Sequence, residues 1–226
     1  MIGRRPRRFE IDDIVRVGRG LGMRRLSMNA VASELGVSST ALYRAVDGRW
    51  GLERLVGESL LGDLELHDDP DDNTGQHLLS FGLQLWNFII RHPGLGVYMQ
   101  TLFPRGDGGR SLMTHQIEAL CRRGYAPDVA LAMSSVIASL AINFAAAEDA
   151  QTERIDGLEA QRQEITDQLM TDENLGDVHR DLPRVDHTDY VKLVLSATIR
   201  GVLSAAPPGR PLDQVVADLA AVGVEV

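Results

Sequence analysis

The sequence predicts an all-α fold, a small N-terminal helical head on a larger helical body. Three observations carry this. Residues that favour strands are sparse, while stretches rich in Ala, Leu, Arg and Glu are long. Apolar residues recur at helical spacing through most of the chain. Pro93, Pro127 and Pro207 fall where those stretches stop or start. With 226 residues and 44% hydrophobic content, the chain can bury an ample core as two modest domains or one large one.

In chain order, residues 1–8 carry Arg4, Arg5, Arg7 and Arg8 beside a proline and a glycine. Such an arm lacks structure in isolation. It suits phosphates or a minor groove, or serves as a solubilising tail. Residues 9–23 form the first helix, with Glu10, Asp12 and Asp13 at its positive end and Ile11, Ile14, Val15 and Leu21 as its core face. Arg24 and Arg25 follow, where they could meet a nucleic-acid backbone.

Residues 27–46 read as two short helices joined by a tight turn. Met28, Val31 and Leu35 make one apolar stripe, Ser27 caps it, and Gly36 ends it where positive φ is easiest. Ser38 or Ser39 caps the second helix. Ala41, Leu42 and Ala45 face inward, and Ser39, Thr40, Tyr43 and Arg44 face outward. Ala32 is small enough to let the two helices cross closely. An ordinary αα-hairpin has no need of three features found here. The outward face holds hydrogen-bonding groups and no acid, Gly36 sits where a DNA-reading pair turns sharply, and Arg49 opens the next helix against its dipole. A cation in that position makes sense if an incoming phosphate also binds those amides. The expected contacts are Ser39, Thr40, Tyr43 and Arg44 in the groove, Ser27, Ser38 and Arg49 along the phosphates, and Met28 on the same DNA-binding surface.

Residues 9–61, about a quarter of the chain, resemble the DNA-binding domain of TetR-family transcriptional regulators. The likeness rests on the first helix, LSMNAVASELGVSSTALYRAV, and the helix opening RWGLERLV. Two positions depart from the family pattern. Val46-Asp47-Gly48 replaces the usual aromatic-containing link, and Arg49 stands where lysine is common. The resemblance implies a homodimer that binds double-stranded operator DNA and releases it when a small-molecule effector binds the body.

Residues 49–66 form the fourth helix, with Leu52, Leu55, Val56, Leu60 and Leu61 apolar and Trp50 expected in the core. Residues 67–76 (HDDPDDNTGQ) form an acidic linker. Its four aspartates lack the alternate-ligand spacing of a calcium loop, so they read as solvated. The body, 77–226, then runs through helices over 77–92, 95–103, 110–123 and 127–148, a surface helix over 158–169, another helix over 190–205, and a short last one over 212–222. The stretch 149–188 is otherwise polar and loop-like.

The apolar helices from Val129 to Ala147 and from Tyr190 to Ala205 exceed what one body needs, which predicts a two-fold dimer joined by a four-helix interface. Such a dimer would set two recognition helices about 34–36 Å apart. The net charge of −9 divides unevenly: residues 1–60 carry 11 Arg against seven acids, and the rest carries 12 basic groups against 25 acids. A basic head on an acidic body follows.

The aromatic and Met-bearing helices offer Phe81, Trp86, Phe88, Tyr98, Met99, Phe103, Met113 and Phe144 as pocket walls, with Gln84, Asn87, His115, Gln116 and Asn143 as polar points. Taken singly, each aromatic also suits the core. Cys121, the single cysteine, reads as a small buried hydrophobe and fits a reducing cytoplasm. No signal-peptide region or membrane-length apolar run is evident, so the expectation is a soluble cytoplasmic protein with no membrane partner. No cofactor or metal is expected. Two other classes remain open: a dimeric helical interaction scaffold, and an enzyme using His179, Asp186, His187 and Asp189. The latter lack helical ligand spacing and come with no nucleophile motif.

Overall fold

The computed structural model describes residues 9–152, 155–183 and 185–221, and the basic arm lies outside them. Among the described residues every regular element is a helix. The head comprises α1 (Ile11–Leu21), a 3-10 turn (Met23–Arg25), α2 (Met28–Leu35), α3 (Ser39–Tyr43) and α4 (Gly48–Leu61). The body comprises α5 (Thr74–Ile90), α6 (Leu95–Leu102), α7 (Asp107–Arg122), α8 (Pro127–Thr152), α9 (Ile155–Thr171), α10 (Gly176–Asp181), α11 (His187–Ala205) and α12 (Leu212–Ala220).

Local chemistry sets the head. Ser27 Oγ accepts from Ala30 N at 3.1 Å and Ser38 Oγ from Ala41 N at 3.2 Å, so each helix of the pair has its cap. Gly36 is left-handed at φ 67°, and its amide closes the end of α2. Val31, Leu42, Leu52 and Val56 are fully buried together. At roughly 1.5–3 kcal/mol per buried side chain, this cluster rather than helix propensity holds three short helices in place.

Four expectations for the head fail. Ile11 is exposed, because the packed face of α1 is set by Ile14 and Gly18. Ala45 is exposed, because α3 ends at Tyr43 and the chain turns before helical spacing can carry residue 45 inward. Trp50 is 55% exposed, since it lies roughly 200° around α4 from Leu52. The fourth helix stops at Leu61, five residues early.

α8 is the axis of the body, with α5, α6, α7 and α11 packed along it. Its 26 residues include a window of mean hydropathy 1.9. By length and composition the helix could cross a membrane, contrary to the expectation from sequence; here other helices cover part of it, burying 44% of that window. The polar stretch also holds more helix than expected. α9 is longer than the expected surface helix, and α10 has an exposed Val178, so no apolar stripe announced it. The expected end of the last helix, residue 222, lies outside the described residues. Cys121 is half-buried.

The acidic linker is not wholly solvated. Asp68 lies against the body, 2.8 Å from Arg122 and 2.7 Å from Arg123, and its Oδ1 is 2.8 Å from His77 Nδ1. Burial alone would raise its pKa. Hydrogen bonds from Arg123 and Arg122 outweigh that and hold the carboxyl well below the usual carboxylate range.

Head and body meet through α4, which packs on α1 and α2 to one side and on α6 and α7 to the other. The Glu58 carboxylate accepts the amides of Gly106 and Gly109, each at 2.8 Å, where α7 begins, and the Tyr98 hydroxyl of α6 at 3.2 Å. Two glycines allow the approach: Gly57 lies against the Tyr98 ring and Gly108 against the Glu58 carbonyl, with no room for a Cβ at either. A second tie joins Arg24 to Asp149 of α8, whose other oxygen accepts Gly94 N at 2.6 Å.

Candidate nucleic-acid interface and ligand cavity

The expected groove-reading residues share one outer face of the head. α3 presents Thr40 and Tyr43, with Arg44 just past its end; all three are exposed, Tyr43 by 57%. Ser39 is half-buried, and its hydroxyl donates to Asn29 Oδ1 at 2.8 Å. That bond pins α3 to α2 and brings Asn29, which the sequence reading passed over, to the same face. Among the described residues Arg44 has no hydrogen bond or ion pair, so its guanidinium is available to a partner.

Arg49 lies in the first turn of α4, with Nε 2.7 Å from Glu53 Oε1 and its guanidinium 5.8 Å above the Trp50 ring. The pair aims the cation while leaving the side chain 72% exposed. Ser27, Asn29, Tyr43 and Arg49 border one shallow groove of about 290 Å³. Ser27 and Ser38 are exposed with their hydroxyls engaged as caps. Met28 also borders the groove, but it is buried, so its side chain belongs to the head core rather than to the outer face. Arg24 is likewise paired with the body, whereas Arg25 is exposed and, among the described residues, bonds only the Leu21 carbonyl.

The body contains a cavity of about 160 Å³ between α5, α6, α7 and α8. Of the expected wall residues, Phe81, Met99, Phe103, Met113 and Gln116 line it. The others lie elsewhere for identifiable reasons. Trp86 is buried near His187, its ring 6.2 Å away. Phe88 stacks on His92 at 4.3 Å. The Tyr98 hydroxyl is turned to Glu58, and burial together with that neighbouring negative charge pushes its pKa well above the ordinary value. Phe144 meets Tyr190 edge-on at 6.1 Å. Gln84 holds the backbone of His67, and Asn143 accepts from Gln100. His115 is half-buried on α7 outside the lining.

The sequence reading missed Ser134, Ser135, Ser139 and Leu112 as lining. The serines registered only as small residues that allow close helix contact. Among the described residues the wall carries no charged side chain.

The alternative catalytic set does not assemble. Asp186 caps α11 by accepting Asp189 N at 2.8 Å, His187 lies 3.3 Å from Glu148, and His179 belongs to α10. Among the described residues no group of three or more His, Cys, Asp or Glu could hold a metal.

No family model matches this chain, and no curated protein matches it. Solved structures do. Apo ActR from Streptomyces coelicolor aligns at TM-score 0.74 with 20% identity, covering 90% of this chain and 100% of that one. The TetR-family protein ActR in complex with actinorhodin aligns at 0.77, with 20% identity and coverage of 89% and 99%. TetR from Acinetobacter baumannii AYE aligns at 0.62, with 15% identity and coverage of 87% and 98%. The fold of this chain, head and body together, is therefore that of TetR-family regulators.

Proposed function

We propose that the protein is a homodimeric transcriptional regulator that binds a palindromic operator and releases it when a small molecule enters the body. The observation that carries this reading is the outer face of α3. It is exposed and free of acids, it ends on Arg44, whose cation has no partner among the described residues, and it is flanked by Arg49 beside a shallow groove. Arg44, Tyr43, Thr40 and Ser39 would read base edges, while Arg49, Ser27 and Ser38 would fix the phosphates. Support for a dimer comes from apolar side chains left in solvent on α8 and α11, including Val136, Tyr190 and Leu193. A second copy laid across them would cover that surface in a four-helix contact. The cavity supports a ligand-responsive body, and the uncovered basic face argues against a purely interacting scaffold.

Selection of bound sequences from random duplex DNA, with the mass of the complex recorded, tests this. A palindromic consensus bound by two chains is the expected result. No enrichment at low salt from folded protein would overturn the reading.

A further inference from the structure

The cavity is built with a polar end and an apolar mouth. At the inner end, Ser134 of α8 is 6% exposed and Gln116 of α7 is 3% exposed. At the outer end, Phe103, Met113 and Leu131 stand open to solvent. Ser134 Oγ is buried with no hydrogen-bond partner among the described residues. A helical serine ordinarily relieves this by bonding back one turn, as Ser135 does to the Leu131 carbonyl at 2.7 Å. Ser134 does not, so a residue that lines the cavity carries a buried hydroxyl at an energetic disadvantage, which a ligand atom met by a turn about its Cα–Cβ bond would remove.

Gln116 is the second polar point, and its orientation is set from behind. His77 Nε2 lies 3.0 Å from Gln116 Oε1, and its Nδ1 lies 2.8 Å from Asp68 Oδ1. The Gln116 oxygen is therefore taken up by the imidazole, and its amide N–H groups remain for the cavity.

Size and charge narrow the occupant. A cavity of about 160 Å³ is close to one of about 150 Å³ that admits benzene. A charged ligand would lose its hydration with no counter-ion on the wall, and an unpaired buried charge is costly. We propose that this cavity takes an uncharged ligand about one ring in size, bearing a hydroxyl group that accepts from the Gln116 amide and donates to Ser134. The inference deepens the ligand-responsive reading but is tested by binding alone.

The experiment is calorimetric titration of the full chain at millimolar phenol, toluene and benzoate, near pH 7. Phenol binds saturably, toluene about three- to tenfold more weakly for want of its hydrogen bonds, and benzoate not at all. Ser134→Ala, which removes a hydroxyl without a protein partner and leaves folding intact, brings phenol affinity down toward that of toluene. No phenol binding, equal phenol and toluene affinities in the parent protein, benzoate binding as tight as phenol, or an Ser134→Ala variant that still discriminates would each overturn the proposal. A chain that binds phenol but enriches no DNA keeps this site and loses the regulator. A chain that selects a palindrome but ignores phenol does the reverse.

Discussion

Replacing Glu58 tests whether head and body are joined as described. The carboxylate accepts two backbone amides at 2.8 Å where α7 starts, plus the Tyr98 hydroxyl at 3.2 Å. Hydrogen bonds to a charged group contribute about 1.5–3 kcal/mol each when well buried. Here the partners are only part-buried, so water recovers some of the loss and about 1 kcal/mol per bond is appropriate. Glu58→Ala should therefore cost about 2–3 kcal/mol. For a chain of this length each kcal/mol shifts the melting temperature by about 2–4 °C, giving a fall of about 4–12 °C by circular dichroism. Glu58→Gln keeps one acceptor oxygen but turns an amide N–H toward the other backbone donor, so its fall should be of similar or somewhat smaller size. A fall of less than about 2 °C for Glu58→Ala would refute the assignment of Glu58 as the junction.

Three further outcomes follow from the structure. Arg44→Ala should reduce discrimination between selected and scrambled duplexes by about 1–3 kcal/mol, whereas Arg49→Ala should weaken both and lower the salt slope by about 1, as read from titrations over a salt series; intact discrimination without Arg44 would misplace α3. Burial holds the His77 pKa below its ordinary value in the folded chain, so the unfolded chain takes up the proton first and stability drops as pH falls below about 6.5. Asp68, also lowered, adds a further loss as pH falls below about 4. Melting from pH 7.5 downward should show this drop in the parent and a shallower one in His77→Asn; identical slopes would exclude the buried imidazole. Gly36→Ala forces a Cβ into left-handed backbone at φ 67° and should cost about 1 kcal/mol, seen as a modest melting shift with DNA specificity unchanged.

What the sequence discloses is local, and what it hides depends on contacts far along the chain. Ser27, Gly36 and Pro93 mark helix ends because caps, left-handed turns and a missing amide act on their immediate neighbours. The outward set on α3 was legible for the same reason. Trp50 was misjudged because hydrophobicity was read without phase, and its position around α4 opposes the stripe through Leu52 and Val56. Asp68 looked solvated because Arg122 and Arg123, more than fifty residues away, do not figure in local composition. Trp86, Phe88 and Tyr98 share their residue type with true cavity walls, and only tertiary packing separates a ring that fills space from one that borders a void. Ser134 is the sharpest case: its signal is a partner it lacks, which no sequence pattern can report.

On the proposed reading, the energy of the junction limits what a ligand can transmit. Allosteric couplings typically amount to about 1–3 kcal/mol, and a link weaker than the coupling would yield before it moved the head. The cavity is walled by Met99 of α6 and by Gly109, Leu112 and Met113 of α7, and those two helices meet at Glu58. At about 2–3 kcal/mol, the Glu58 junction is of the required size but not far above it. The contacts of Gly57 and Gly108 then matter in a different way. They remove the slack through which α6 or α7 could shift while α4 stayed still. A ligand that displaces either helix must therefore carry α4, and with it the face around Arg44, or break the Glu58 bonds. A variant lacking Glu58 should accordingly still bind DNA and still bind phenol, while phenol no longer changes DNA affinity. Retained coupling in that variant would place the route elsewhere, with the Arg24–Asp149 tie the next to examine.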